Sequence, residues 1–417
     1  MGGLYCPLSI RGKTPPVTLL ASPAPSQGLI ERFAAGGWVT PGRMRVWSLG
    51  LIAFYLATLT TWILGGSWFL DATGALIPTD FVSFWSAGHL ALAGKAAAAY
   101  DLPTLQAEHA LALGHPSVQH YYWFYPPIFL LLVTPFALLP YVPAVIVWVA
   151  ATLALYLAAL RRIFPHPLTA LAALAAPTAC AGIITAQNGF LTAALLGSGL
   201  VFLEGQPVFS GVLLGMLAIK PQLALLIPVV LLGARQFRAA AAAALAVLGL
   251  AALSGAVLGF DAWSAFLAAP FHANDKLFQH STVGLYKIQS LYALLRFLDL
   301  DPLLAGAVQG AASLVVAALV LRLWRRDLPY AVKAAALATG TLLVTPYAMI
   351  YDMTLLSVPA AFLVRDGVAR GFRPWEKPGL VIVGLLPILF PWISAIGLVS
   401  EFAMLALVLL RASRAED

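Results

Sequence analysis

Residues 47–70 read WSLGLIAFYLATLTTWILGGSWFL, without a single Asp, Glu, Lys or Arg. Crossing the hydrocarbon of a bilayer takes about 20 predominantly apolar residues in one helix. In lipid the backbone polar groups must be satisfied within the segment, so a run of this kind is predicted to be a transmembrane helix. The runs 239–260, 302–321 and 378–394 repeat the pattern. The whole chain agrees: of 417 residues 61% are hydrophobic and 10% charged, and the mean hydropathy is +0.90. A soluble domain cannot hide that much apolar surface, whereas a membrane accepts it. The fold class is an all-α polytopic membrane protein.

Working outward from these runs gives the topology. Lys and Arg cluster in the N-terminal segment (Arg11, Lys13, Arg32, Arg43, Arg45), then at Arg161–Arg162, Arg235 and Arg238, and again from Arg322 to Lys333, Arg365 to Lys377 and Arg411 to Arg414. Lys95, Lys220, Lys276, Lys287 and Arg296 fall in the alternating segments. Positive residues mark cytoplasmic loops, so both termini are expected inside and the loops 71–126 and 261–301 outside. The net charge of +7 then reflects membrane orientation, and no nucleic-acid partner is implied. The spans expected are 47–70, one net crossing within 127–160, 167–185, 189–203, 208–219, 222–234, 239–260, 302–321, 331–345, 348–364, 378–394 and 397–411. That is about twelve transmembrane helices (range about 10–13), an even number as two inside termini require. The stretch 186–234 is broken by Gly189, Gly205, Pro207 and Pro221. It reads either as short helices that stop within the membrane or as a re-entrant pair, which are tolerated where they line a cavity.

Residues 1–45 are rich in Pro, Gly and Ser and read as a disordered cytoplasmic tail; 46–411 form one membrane domain, and 412–417 a short cytoplasmic end. The two cysteines, Cys6 and Cys180, support neither a disulfide framework nor a cysteine metal site. In each outer loop, interfacial helices are expected. Phe81, Phe84, Trp85 and Leu90 recur at helical spacing, as do Leu102, Leu105, His109 and Leu113, which predicts two amphipathic helices at the interface. The loop ends in the aromatic belt HYYWFYPPIF, and Pro127 suits the first position of a helix. The second outer loop carries YKIQSLYALL, a further helix. Two such loops would roof a cavity suited to a substrate with a polar head and a lipid tail.

The candidate residues each have two readings. Asp80 lies in TDFVSFWSAGHLALAGKAAAAYD (79–101). It is either a general base, since activating a hydroxyl needs a carboxylate within hydrogen-bond reach, or the N-cap of the helix that follows. Lys220 is the only Lys or Arg between Arg162 and Arg235. A lone lysine at the centre of a bilayer helix costs about 2.5–3.5 kcal/mol, so it either meets a phosphate, with Gln222 beside it, or snorkels to the headgroups. Gln187 and Asn188 either bind sugar hydroxyls or cap a helix hairpin. Lys287, with Gln289, is a second candidate for a phosphate. Asp352 either binds substrate, pairs with a lysine, or sits at a helix N-terminus favoured by the dipole. Trp85, Tyr125 and Tyr351 are the aromatic candidates for substrate contact. Gly211 and Gly215 read as a close helix contact, and Asp299 and Asp301 as the cap of the next helix. No Gly-rich phosphate loop, nucleophile elbow or zinc motif is present.

In order along the chain stand TDFVSFWSAGHLALAGKAAAAYD (79–101), YPPIFLLLVTPFALLP (125–140), AQNGFLTAALLGSG (186–199), GVLLGMLAIKPQLALLIPVVLL (211–232) and TPYAMIYDMTLL (345–356). This set resembles glycosyltransferase family 87, bacterial plasma-membrane enzymes that include polyprenyl-phosphate-mannose-dependent mannosyltransferases. The resemblance runs from about residue 47 to 411. It implies a type C glycosyltransferase fold whose first outer loop carries the catalytic carboxylate, at the position of Asp80. It further implies a polyprenyl-phosphate sugar as donor, with Lys220 matching the lysine of the family's K-P segment and Tyr351–Asp352 falling in its late motif. No second acidic residue adjoins Asp80, which speaks against a metal-dependent variant. No cofactor is expected, because lysines can offset the charge of a departing monophosphate. The reaction expected is inverting transfer of a hexose, mannose by the resemblance, to a lipid or glycan acceptor on the extracytoplasmic face. The runner-up reading is a transporter or lipid flippase for a polar-headed lipid, for which broken helices and intramembrane polar residues also fit.

Overall fold

The computed structural model describes residues 28–117, 119, 121–279 and 284–413, and of 270–279 the backbone only. Cys6, most of the N-terminal tail and the Lys276 side chain therefore lie outside the described residues. Within the segment expected to be a tail, Leu29–Ala34 form a short helix, α1, and a long helix, α2 (Pro41–Leu64), already begins at Pro41. A small antiparallel hairpin follows, β1 (Ser67–Trp68) and β2 (Leu70–Asp71), with Thr73 and Ala75 donating to the Asp71 carboxylate.

The remaining described elements are helical. The first loop holds α3 (Phe81–Leu92) and α4 (Leu102–Leu113); then come α5 (Pro127–Val133), α6 (Tyr141–Ile163), α7 (Pro167–Ala175) and α8 (Pro177–Thr185). The broken stretch contains α9 (Gly189–Phe202), α10 (Pro207–Gly215), α11 (Pro221–Ala224) and α12 (Leu226–Gly233). After them run α13 (Phe237–Leu258), α14 (Phe260–Gln279), α15 (Leu291–Phe297), α16 (Pro302–Arg325) and α17 (Tyr330–Leu343). The chain closes with α18 (Ser357–Arg370), α19 (Glu376–Leu385) and α20 (Ile396–Ala412). Proline opens α2, α5, α7, α8, α10, α11 and α16, where its missing N–H is one the helix would leave free anyway.

Four of these helices, α2, α6, α13 and α16, are long and apolar enough to cross a membrane individually. The pair α7 and α8 passes the same test jointly but is bent by 63°, at the place where Pro177 interrupts the hydrogen-bond ladder. The other expected spans fall on shorter helices. The stretch 186–234 is made of short pieces, with a 3₁₀ turn at Met216–Ile219 ahead of Pro221. Gly211 and Gly215 act as close-packing residues: a Cβ on either would lie 2.3 and 2.6 Å from the carbonyl oxygens of Ala239 and Ala243, so α10 packs backbone to backbone on α13.

One expectation for the first loop is overturned. α3 is no surface helix: Phe81, Val82, Phe84, Ala87 and Leu90 are buried on every side of it. Phe84 is ringed edge-on by Trp123, Tyr125, Phe129 and Trp148 at 5.0–6.0 Å. A helix apolar all round is a core helix, and the segment is one. α4 follows the expected pattern, burying Leu105, His109 and Leu113 along one face. Asp301 caps α16, accepting from the N–H groups of Leu303 and Leu304. At the other end of the chain the buried Arg411 donates to Asp366 and Glu376 at 2.6 and 2.7 Å and to the carbonyl of Gly371, fastening α20 to α18 and α19.

Candidate active site

Asp80 is placed by two backbone elements. Its N–H donates to the carbonyl of Thr185, the last residue of α8, at 3.1 Å. Its own carbonyl accepts from the Ser83 hydroxyl in the first turn of α3. Although it occupies the N-cap position, its side chain makes no capping hydrogen bond. The carboxylate is directed elsewhere, and it is partly exposed.

It is directed at the turn between α8 and α9. There Ala186 adopts a left-handed conformation (φ 51°), uncommon for a residue with a Cβ. The Trp148 indole holds it by donating to the Ala186 carbonyl at 3.0 Å. The reversal turns Gln187 toward α3, and its amide donates to Asp80 Oδ2 at 3.2 Å. The amide oxygen of Gln187 accepts in turn from the Tyr125 hydroxyl at 3.1 Å and from the Asn188 N–H at 3.2 Å. Tyr351 and Asn188 flank the Tyr125 hydroxyl. Four sequence candidates thus stand around Asp80: Gln187, Asn188, Tyr125 and Tyr351.

Lys287 joins them from a distant part of the chain. Gln289 donates its N–H to the Ala348 carbonyl, Ser290 its hydroxyl to the Pro346 carbonyl, and Ile288 bridges Met349. These bonds fasten the Lys287 turn against 346–349, within electrostatic reach of Asp80. Burial pushes the Asp80 carboxyl above the ordinary aspartate range, and the Lys287 ammonium and the Gln187 amide hold it back down. A partly exposed carboxyl with a raised affinity for protons, held beside a cation, is suited to general-base work.

Lys220 lies beneath this cluster and is not a free cation. It is buried and paired with both oxygens of Asp352 at 2.5 and 2.7 Å, while its ammonium sits over the Tyr351 ring, 4.5 Å from the centroid. Of the alternatives for Asp352, two are realised together: it pairs with a lysine, and from the first turn of the 3₁₀ helix Ile350–Leu356 its carboxylate accepts the Met349 N–H at 2.9 Å. Buried and paired in this way, Lys220 does not reach outward as the snorkelling alternative requires.

Two of the other candidates, Gln289 and Trp85, are engaged in hydrogen bonds to other parts of the fold. The Gln289 side chain accepts from the Gly397 N–H and donates to the Tyr286 carbonyl, welding the second loop to α20. The Trp85 indole donates to the Leu139 carbonyl and its ring stacks on His89. Gln222, in α11, is half-buried. The sequence reading missed Glu401 of α20. It is fully buried, both its oxygens lack a hydrogen-bond partner among the described residues, and it lies within electrostatic reach of Asp352. A lone carboxylate inside the apolar run 397–411 was the available signal.

Gly189 fixes the distance between the two halves of the cluster. A Cβ there would meet the Tyr351 carbonyl oxygen at 2.3 Å, a backbone atom that cannot swing aside. Gly189→Ala should therefore push the Tyr351 turn away from Gln187 and lower both transfer and thermal stability by overpacking, about 1–3 kcal/mol in the latter. Thermal unfolding in detergent and a transfer assay check this together; unchanged values in both would mean that the contact yields freely.

Residues 123–346 match the model of glycosyltransferase family 87. No curated protein and no solved structure matches the chain. The matched span holds Tyr125, Gln187, Asn188, Lys220 and Lys287, whereas Asp80, Tyr351 and Asp352 lie outside it. Since the match covers more than half of the 417 residues, the chain belongs to glycosyltransferase family 87.

Proposed function

We propose that the protein transfers a hexose, mannose by family resemblance, from a polyprenyl-phosphate sugar to a lipid or glycan acceptor at the extracytoplasmic face of the plasma membrane. Family membership makes it a glycosyltransferase; the donor, the acceptor, the type C fold and a course of about twelve crossings are part of this reading. The observation that carries it is the Asp80 carboxylate, one oxygen held by Gln187, with Lys287 in electrostatic reach.

In this mechanism Asp80 accepts the proton of the acceptor hydroxyl. The oxygen forms a bond to the anomeric carbon from the face opposite the phosphate, and the bond to phosphate breaks with its electron pair leaving on the polyprenyl phosphate. The anomeric configuration inverts. Lys287 offsets the charge that grows on the leaving group, worth most where water is excluded. What supports giving this role to Lys287 is that Lys220 is occupied: it could reach a phosphate only by abandoning Asp352, and breaking such a buried pair costs about 3–5 kcal/mol. Lys220 instead steadies Tyr351.

The test is donor choice. The purified protein in proteoliposomes is offered labelled polyprenyl-phosphate mannose or a labelled mannose nucleotide, each with cell-envelope glycolipid as acceptor. The expected result is glycosidic product from the lipid-linked donor only. Product from the nucleotide sugar alone would overturn the reading, as would movement of the lipid-linked sugar across the membrane without bond formation.

A further inference from the structure

We infer that Gln187 is a positioning residue for Asp80, locked in a single orientation by Tyr125 and by the Asn188 backbone, rather than a contact for sugar hydroxyls. The inference rests on the reading of Asp80 as general base and adds to it.

The lock follows from counting lone pairs and protons. A side-chain amide oxygen has two lone pairs. Both are engaged in Gln187, by the Tyr125 hydroxyl at 3.1 Å and the Asn188 N–H at 3.2 Å. The amide nitrogen is thereby turned to Asp80 Oδ2 at 3.2 Å. Reversing the amide would set its oxygen against a carboxylate and its N–H₂ against a backbone N–H, repulsive at both ends. With only 7% of its surface exposed, Gln187 has little left to offer a substrate. Asp80, partly exposed, keeps its other oxygen for the acceptor hydroxyl.

Two consequences distinguish this from a sugar contact. An N–H bonded to the ionised carboxylate favours that form, so losing it must move the proton affinity of Asp80 upward. The lock also extends beyond Gln187, because Tyr125 sets its orientation. The groups facing Asp80 from the elements around it are Lys287, Tyr121, Tyr125, Tyr141 and Tyr351, together with Gln187. Lys287 is the charged one among them, and these variants leave it in place.

The test compares Gln187→Glu, Gln187→Met and Tyr125→Phe by the pH profile of kcat/KM and by separate kcat and donor KM. Gln187→Met removes the donor. Its acid limb should move to higher pH by about one unit, the scale of a hydrogen bond to a charged group. Gln187→Glu sets a second carboxylate against the first and should move it further. Tyr125→Phe, the variant least disturbing to folding, should shift the limb in the same direction by less. Below each displaced limb kcat should fall, while donor KM stays within about twofold. A KM rise of about tenfold with the limb in place would show a sugar contact and overturn the inference. A limb unmoved in both Gln187→Met and Tyr125→Phe overturns it too. Asp80→Asn, assayed alongside, separates the two failures: undiminished transfer there removes the base itself, whereas loss of transfer with unmoved limbs in the other variants removes only the lock.

Discussion

Asp80→Asn should lower kcat for sugar transfer by about 10²–10⁴-fold, the range that a positioned general base contributes, with the protein still folded and the donor still bound. The substitution is nearly isosteric. The backbone bonds that hold residue 80, to Thr185 and from Ser83, do not involve its carboxylate, and an asparagine oxygen can still accept from Gln187. What is lost is the ability to take a proton. The pH dependence follows with a definite sign. Transfer needs the ionised form, so kcat/KM in the wild type falls as pH drops through the Asp80 pKa. Burial raises that pKa while Lys287 and Gln187 oppose the rise, so the acid limb should lie above the ordinary aspartate value. Lys287→Met removes one opposing influence and should move the limb higher still, with a weaker grip on the donor phosphate. In Asp80→Asn the limb should vanish. Retention of most of the wild-type rate, or persistence of the same limb, would sink the assignment of the base.

The long apolar helices are legible in the chain because length and apolarity of a run are local properties; most of 47–70 falls in α2 (Pro41–Leu64), although its last residues turn into the hairpin. Asp80 and Lys287 are legible as candidates for a similar reason, as isolated charges beside apolar helices. What they do is a tertiary matter. Lys220 and Asp352 are 132 positions apart, and the sequence offers each several fates without saying that they choose one another. The Gln187 amide has the same chemistry whether it meets a sugar hydroxyl or a carboxylate, and only the left-handed turn at Ala186 decides between them. In α3 the error was one of periodicity. FVSFWSAGHLAL carries apolar or small residues around nearly the whole helix, the mark of burial on all sides, and the aromatic spacing alone suggests a one-sided helix.

The second large effect concerns the buried ion pair, and it separates a structural lysine from a substrate-binding one. Lys220→Met should destabilise the protein by about 3–5 kcal/mol because the fully buried Asp352 loses its partner. Asp352→Asn should also destabilise, because the buried ammonium loses its counter-charge and keeps only the neutral asparagine oxygen and the Tyr351 ring as partners. Combining the two removes both charges. An asparagine at 352 can still accept the Met349 N–H that Asp352 accepts now, and methionine fills most of the lysine's volume. Replacing a buried pair by neutral groups of similar size is often close to neutral in stability, so the double variant should recover most of what either single variant loses. Thermal unfolding of the four proteins in the same detergent measures this as a coupling between the sites. Activity then decides the role of Lys220. If the ammonium only steadies Tyr351 and, through it, the Tyr125–Gln187–Asp80 chain, the refolded double variant should keep transfer within about tenfold of the wild type. A double variant that is stable, binds the donor poorly and transfers nothing would return the phosphate to Lys220 and require the pair to open during the reaction.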